Sequence, residues 1–252
     1  MGEDTEKLRI WVDADACPGA VREIVLRAAT RLGIRTVFVA NKTLHVPDSP
    51  LFSTVRVALG PDVVLTQAVC EVCAVPTPGV RETVGRLGLE AEVLSLDAHT
   101  LGDILSTVRA VAAAAGEAAR GEAVVGALDA RLEGVRSAVR DAPRPRVLAI
   151  EWLDPPFTPG HWVPEMIETA GGDCVAGERG ARSEETSWEA LEGEDPDVLL
   201  IMPCGYGLEA SIRDADRHAD ALRRVAPRAV AEGRSWVVDG SSYFNRSGPR
   251  AI

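Results

Sequence analysis

A chain of 252 residues, 46% hydrophobic and 26% charged, has the balance of a globular protein with material for one large domain or two small ones. Asp and Glu number 38 against 27 Lys and Arg, a net charge of −11. That argues against a broad nucleic-acid surface, which needs clustered cations to displace counterions from phosphates.

Residues 1–7 are polar and charged, and the apolar run 10–12 is broken at once by Asp13. No signal-peptide core follows, and no run approaches the ~20 apolar residues of a membrane span. As written, the chain is expected in the cytoplasm. Its five cysteines are odd in number, which argues against a disulfide framework. Residues 8–12 predict a strand ending at Asp13. Cys17-Pro18-Gly19 then opens a helix with Val21, Ile24, Val25 and Ala28 on one face and Gly33 at its end, and residues 34–40 predict a second strand. Such a βαβ unit implies parallel strands. The stretch 41–53, with Pro47 and Pro50, reads as loop.

A second pattern begins at Pro61-Asp62. A buried-strand run at 63–66, a loop at 67–76, a helix at 77–87 closed by Gly88 and a strand at 91–96 follow one another. The phrase returns downstream as Pro196-Asp197, the strand 198–201, a loop with Cys204 and Gly205, a helical stretch, the strand 235–238 and a loop at 239–243. This faint repeat predicts two α/β lobes of related build. Between them Thr100 can cap a helix over 101–115, with Asp103 in its first turn. Gly116 interrupts, and 117–140 continues with Val124, Leu128, Leu132, Val135 and Val139 at helical steps. At 1.5 Å per residue this second helix would be roughly 35 Å long, a strut between lobes. After a strand at 147–150 comes Glu151-Trp152-Leu153-Asp154-Pro155-Pro156-Phe157-Thr158-Pro159-Gly160-His161-Trp162. Its prolines withhold donors and predict irregular structure. Its two tryptophans and one phenylalanine, in a chain only 4% aromatic, make it a candidate ligand wall past a strand end.

These segments resemble the cobalamin-binding-like substrate-binding proteins of ABC importers. The resemblance rests on Pro61-Asp62-Val63-Val64-Leu65-Thr66-Gln67, Cys70-Glu71-Val72-Cys73-Ala74-Val75-Pro76, Leu94-Ser95-Leu96-Asp97, Glu151 to Phe157, Gly160-His161-Trp162-Val163-Pro164-Glu165, Pro203-Cys204-Gly205 and Asp239-Gly240-Ser241-Ser242-Tyr243-Phe244. In that family the pattern continues past Gly248-Pro249-Arg250-Ala251-Ile252 into a further helix. The first part is different: Ile10-Trp11-Val12-Asp13-Ala14-Asp15-Ala16-Cys17-Pro18, Val39-Ala40-Asn41, Val46-Pro47 and Thr54-Val55-Arg56-Val57 resemble the opening of the uncharacterised YaiI/YqxD family, which is PIN-nuclease-like in fold. The chain thus reads as a hybrid. The expected fold class is α/β, two Rossmann-like lobes with mainly parallel sheets bridged by one long α-helix. The expected division is a YaiI/YqxD-like βαβ segment at 1–58, the rest of lobe one at 59–100, a helical connector at 101–145 and a second lobe at 146–252.

The resemblance implies a corrinoid or other large cofactor-like ligand in the cleft between lobes, and possible docking on an ABC permease. Trp152, Phe157, Trp162 and Tyr243 would give apolar contact, with Gln67, Cys70, Glu71, His161, Cys204 and Ser241 beside them. His161 could also coordinate cobalt as a neutral imidazole, though a polar loop residue on the rim is the simpler reading. Cys70-Glu71-Val72-Cys73 is a C-x-x-C, open to a redox or zinc reading. No second C-x-x-C or H-x-x-x-H exists to complete four zinc ligands, and packing is the plainer alternative. Asp13 and Asp15, two apart at a strand end, could share a divalent cation. A metal-dependent nuclease or phosphohydrolase is therefore the enzymatic alternative, and a hybrid without retained activity is a third. No G-x-S-x-G is present. Gly205-Tyr206-Gly207 lacks the third glycine of a dinucleotide loop.

Overall fold

The computed structural model describes residues 9–14, 17, 19–57, 62–69 and 77–252. The chain divides into two compact units. One comprises Met1–Val64 with Arg81–Glu92, the other Leu65–Val80 with Val93–Ile252.

In the first unit, β1 (Arg9–Asp13), α1 (Gly19–Leu32) and β2 (Arg35–Ala40) form the expected βαβ, with β1 and β2 parallel and Val12 opposite Phe38. Val12, Ala14, Phe38 and Ala40 are buried on one face with Val25 and Leu26 of α1 packed against them. A strand absent from the sequence reading, β3 (Phe52–Arg56), adds in parallel to β2. The boundary between units runs through β4 (Val63–Thr66), α2 (Thr77–Arg86) and β5 (Glu92–Ser95), and β4 pairs with β5.

The second unit is a doubly wound sheet. Its elements are α3 (Leu101–Ala114), α4 (Ala118–Val139), β6 (Arg146–Ile150), β7 (Trp152–Leu153), β8 (Pro156–Phe157), α5 (Val163–Thr169), β9 (Asp173–Cys174), α6 (Trp188–Leu191), β10 (Val198–Ile201), α7 (Leu208–Arg217), α8 (Ala219–Val225), α9 (Pro227–Ala231), β11 (Ser235–Val237) and α10 (Gly240–Tyr243), closed by a 3-10 turn at Pro249–Ala251. The main sheet has the order β11-β10-β6-β9, and every pairing is parallel. Side chains alternate along β6 as the pleat requires. Val147 and Ala149 join Leu101, Ile104, Val125, Val163 and Ile167 on one face. Leu148 and Ile150 join Leu199, Ile201, Leu222 and Val225 on the other. Thus α3, α4 and α5 cover one side of the sheet, and α6 to α9 the other.

Helices α3 and α4 fold back on each other around Gly116, whose φ of +73° reverses the chain. A Cβ on Gly121 would lie 2.4 Å from Ala112 Cβ, so this glycine allows the close approach. The apolar face of α4 is Gly121, Val125 and Leu132 rather than the full stripe expected from spacing, since Val124 and Val135 are exposed. The start of α3 is a capping box: Thr100 Oγ1 accepts from Asp103 N at 3.1 Å and Asp103 Oδ2 from Thr100 N at 2.9 Å. These bonds and that to His99 N hold the Asp103 carboxyl below its ordinary range although burial opposes them. Thr100→Ala should cost about 1 kcal/mol of stability, read as a lowered denaturation midpoint with an unchanged denaturant slope.

Candidate functional site

In an open parallel sheet, ligands sit beyond the carboxyl ends of the strands where successive connections leave in opposite directions. Here β6 connects through α5 to β9 on one flank, and the chain then returns through α6 to β10 on the other. The switch point therefore lies between the ends of β6 and β10. At those ends stand Glu151 and Cys204, joined by a bond from Cys204 N to Glu151 O of 2.9 Å.

The segment after β6 is not wholly irregular, as its prolines predicted. Residues 152–157 make a small antiparallel hairpin, with Trp152 opposite Phe157 and a cis Asp154–Pro155 bond at its turn. Two-residue strands need few donors, which accommodates Pro156. Trp152 Nε1 donates to Asp154 O at 3.0 Å, and its ring meets Tyr206 edge-on, centroids 5.1 Å apart. Ser241 N, at the start of α10, donates to Tyr206 O at 3.2 Å. Asp239 caps α10 by accepting from Ser242 N (2.8 Å) and Ser242 Oγ (2.9 Å). Trp152 and Ser241 thereby meet at Tyr206, with Cys204 two residues before it and Phe157 across the hairpin from Trp152.

A second group forms beside α3. Gln67 donates from Nε2 to Ser247 Oγ and to Leu96 O. His161 lies against His99, ring centroids 5.5 Å apart, and against Trp162. Trp162 is only 5% exposed, and its Nε1 donates to Phe244 O at 2.8 Å. It is a core residue beneath the site, not an exposed wall. Tyr243 is exposed and lines a separate cavity of about 590 Å³ with Met166, Leu208, Val238 and Phe244. Asp13 ends β1, whereas Asp15, Cys70, Glu71 and Cys73 lie outside the described residues. No group of three metal-binding side chains occurs among the described residues.

Three residues of the site were not singled out by sequence: Tyr206, His99 and, as a buried acid, Glu151. The glycines around Tyr206 were weighed only as a failed phosphate loop. Glu151 Oε1 accepts from Gly160 N at 3.3 Å, and Ser183 Oγ donates to Oε2. Burial raises its pKa from the ordinary 4.5 to about 7, against the lowering effect of those two bonds. The imidazole of His161 is held below its usual range by burial, by the neighbouring charges of His99 and Arg182, and despite a bond to the Val69 backbone.

A periodic match of strands and helices at this level is shared by many α/β proteins, so the family decides more. The model of the periplasmic binding proteins matches residues 57–234. The chain belongs to that family. The uncharacterised YaiI/YqxD family matches residues 11–72, which fits the hybrid reading. Among curated relatives of that second kind, an uncharacterised protein of Syntrophobacter fumaroxidans is 60% identical over 57 residues, 23% of this chain and 37% of the relative. One of Halorhodospira halophila is 46% identical over 94 residues, 37% of this chain and 60% of the relative. The chain thus spans less than two thirds of these relatives. Solved periplasmic binding proteins with the same fold include the heme-binding protein RhuT of Roseiflexus sp. RS-1, 26% identical with a TM-score of 0.58 over 77% of this chain and 72% of that one. The vitamin B12 binding protein BtuF of Vibrio cholerae is 18% identical, TM-score 0.57, over 96% and 91%. An Fe3+-hydroxamate transport protein of Saccharomonospora viridis is 17% identical, TM-score 0.57, over 96% and 89%. No helix among the described residues is long and apolar enough to cross a membrane.

Proposed function

We propose that the chain reversibly binds a large cofactor-like small molecule, a corrinoid first, at the carboxyl edge of the second unit's sheet, and passes it to an ABC permease without transforming it. The observation that carries this reading is the Trp152–Tyr206 aromatic pair at the β6/β10 switch point. A family of binding proteins, and neighbours whose names specify vitamin B12, heme and Fe3+-hydroxamate, support a binder over an enzyme. Aromatic faces suit a macrocycle because they give apolar area at little cost in side-chain entropy.

Titration with cyanocobalamin, followed by tryptophan quenching corrected for ligand absorbance, is expected to saturate at micromolar concentration. Tyr206→Ala, which removes one aromatic partner, should weaken binding about tenfold. Saturation by hemin but not by any corrinoid would change the ligand and keep the binder. Saturation by neither would overturn the proposal.

A further inference from the structure

The stretch from Gly19 to Val57 has the opposite charge to the chain that contains it. Its cations are Arg22, Arg27, Arg31, Arg35, Lys42 and Arg56 and its acids only Glu23 and Asp48, whereas the whole chain carries −11. Arg27 and Arg31 stand one turn apart on α1, where like charges at i and i+4 repel. Neither forms an ion pair among the described residues, and Glu23, one turn before Arg27, does not pair with it. In the second unit, by contrast, Arg109, Arg144, Arg146, Arg179, Arg224 and Arg228 each meet a carboxylate. The helix dipole accounts for a cation in the last turn of α1, which holds Arg31, but not for Arg27.

Both residues line a cavity of about 540 Å³ between α1 and the segment that leads into β3, a size common among small-molecule pockets. Leu26, Pro47 and Phe52 give it an apolar side. Leu26 and Phe52 rest on the buried cluster of Val12 and Phe38, with the Phe38 and Phe52 ring centroids 6.4 Å apart. Two hydroxyls complete the lining. Thr30 Oγ1 donates to Leu26 O at 2.9 Å, so its proton is committed. Ser49 Oγ accepts from Leu51 N at 3.2 Å, which leaves its own proton to donate. Two backbone bonds hold this wall in place: Phe52 N donates to Ser49 O at 3.1 Å, and Thr36 N to Leu51 O at 2.8 Å. No acid is among the lining residues. Asp48, between Pro47 and Ser49, forms no ion pair among the described residues.

We propose that this cavity binds a phosphate monoester with a planar ring body, a nucleoside monophosphate first. The lining offers donors and positive charge at one side and apolar surface at the other, which is the division of such a molecule. One dianion between the guanidinium groups of Arg27 and Arg31 turns their mutual repulsion into two attractions, and the planar fork of Arg suits phosphate oxygens. Ser49 Oγ adds a third donor. The ring lies against Leu26 and Phe52, where base–aromatic contact adds apolar area. The site concerns residues of the first unit alone, so it stands or falls separately from the ligand proposed at the second unit's sheet.

The test titrates the full chain with adenosine monophosphate by isothermal calorimetry. One site per chain is expected, with adenosine alone and inorganic phosphate alone each bound at least about tenfold more weakly, since each lacks one side of the contacts. Arg27→Gln and Arg31→Gln should each weaken binding at least about tenfold, the loss of one charge-assisted bond. Circular dichroism should not change, because Gln suits a helix surface. Arg22→Gln, which removes the same charge from the same helix outside the cavity, should stay within about twofold at physiological salt. Phe52→Leu should weaken adenosine monophosphate and leave inorganic phosphate unaffected. Should a variant fail to fold, the unmodified chain still answers: adenosine monophosphate should protect Arg27 and Arg31 from phenylglyoxal, read by peptide mapping. No saturation below about 1 mM, an equal loss in Arg22→Gln, adenosine bound as tightly as its monophosphate, or unprotected arginines would each overturn the proposal. So would a single-stranded oligonucleotide that binds the chain while the mononucleotide does not.

Discussion

Gly160→Ala is expected to destabilise the second unit by at least about 3 kcal/mol, the upper range for forcing extra atoms into a packed interior. Its added Cβ would lie 2.1 Å from Ser183 N and 2.5 Å from the Arg182 carbonyl carbon. Backbone cannot turn aside as a flexible side chain does, so one of the two loops must move. The pair of contacts is reciprocal: a Cβ on Gly177 would lie 2.0 Å from Pro159 O. The segment after β6 and the segment after β9 are thus pressed backbone to backbone, and Thr158 N adds a bond to Glu184 O at 2.9 Å. For a domain of this size, 3 kcal/mol corresponds to a drop in Tm of roughly 10 °C. Gly233→Ala separates this contact effect from general glycine effects, because its φ is +69° but nothing lies within 4 Å of its added Cβ. It should cost only about 1 kcal/mol. Equal losses in the two variants would show that the apposition of the loops is not what Gly160 supplies. Because Trp152, His161 and Trp162 ride on the first of these loops, Gly160→Ala should also weaken whatever ligand the site holds, even at temperatures where the unit stays folded.

That apposition illustrates what the sequence could and could not convey. The strands β6 and β10 were legible because their alternating or continuous aliphatic runs, Val147 to Ile150 and Val198 to Ile201, have few other uses. The parallel βαβ at the start was legible for the same reason, with Gly33 marking the end of its helix. Strand β3 was not, because it is short and its side chains are mostly exposed, so no hydrophobic period marks it. Helix α4 was placed well but its buried face was misread. Gly121 contributes by being absent, and a rule that counts apolar side chains passes over it in favour of Val124. The same holds for the site. Clustered aromatics drew attention to Trp152, but its ring partner Tyr206 lies on the loop after β10. His99 and His161 are neighbours only because α3 begins beside the turn that follows the hairpin. Pairings made by tertiary contact leave no spacing to read.

Glu151→Gln should flatten a pH dependence that the wild-type chain shows. Glu151 follows β6 at the switch point, is 9% exposed, and has a pKa raised to about 7 by burial. The unfolded chain releases this proton near the ordinary 4.5, while the native chain keeps it until about 7. Between those values the native state binds more protons than the unfolded one, so this group's contribution makes stability fall as pH rises. The slope is about 1.4 kcal/mol per pH unit and the total about 3 kcal/mol, lost by pH 8 and fully present at pH 4. The amide of Gln keeps an acceptor for Gly160 N and offers a donor to Ser183 Oγ, so it reproduces the neutral acid. Other carboxylates titrate in the same range, and the difference between wild type and variant isolates this one. In denaturant unfolding the two should be close at pH 5, and the variant should be more stable by roughly 3 kcal/mol at pH 8. Parallel curves across that range would mean that the buried carboxyl ionises freely, through solvent admitted between the loops. The consequence reaches the site because Gly160 and Ser183, the two partners of Glu151, belong to the two apposed loops. A carboxyl forced to ionise there weakens the joint that positions Trp152 and His161, so ligand affinity in the wild type should decline above pH 7 and in Glu151→Gln should not.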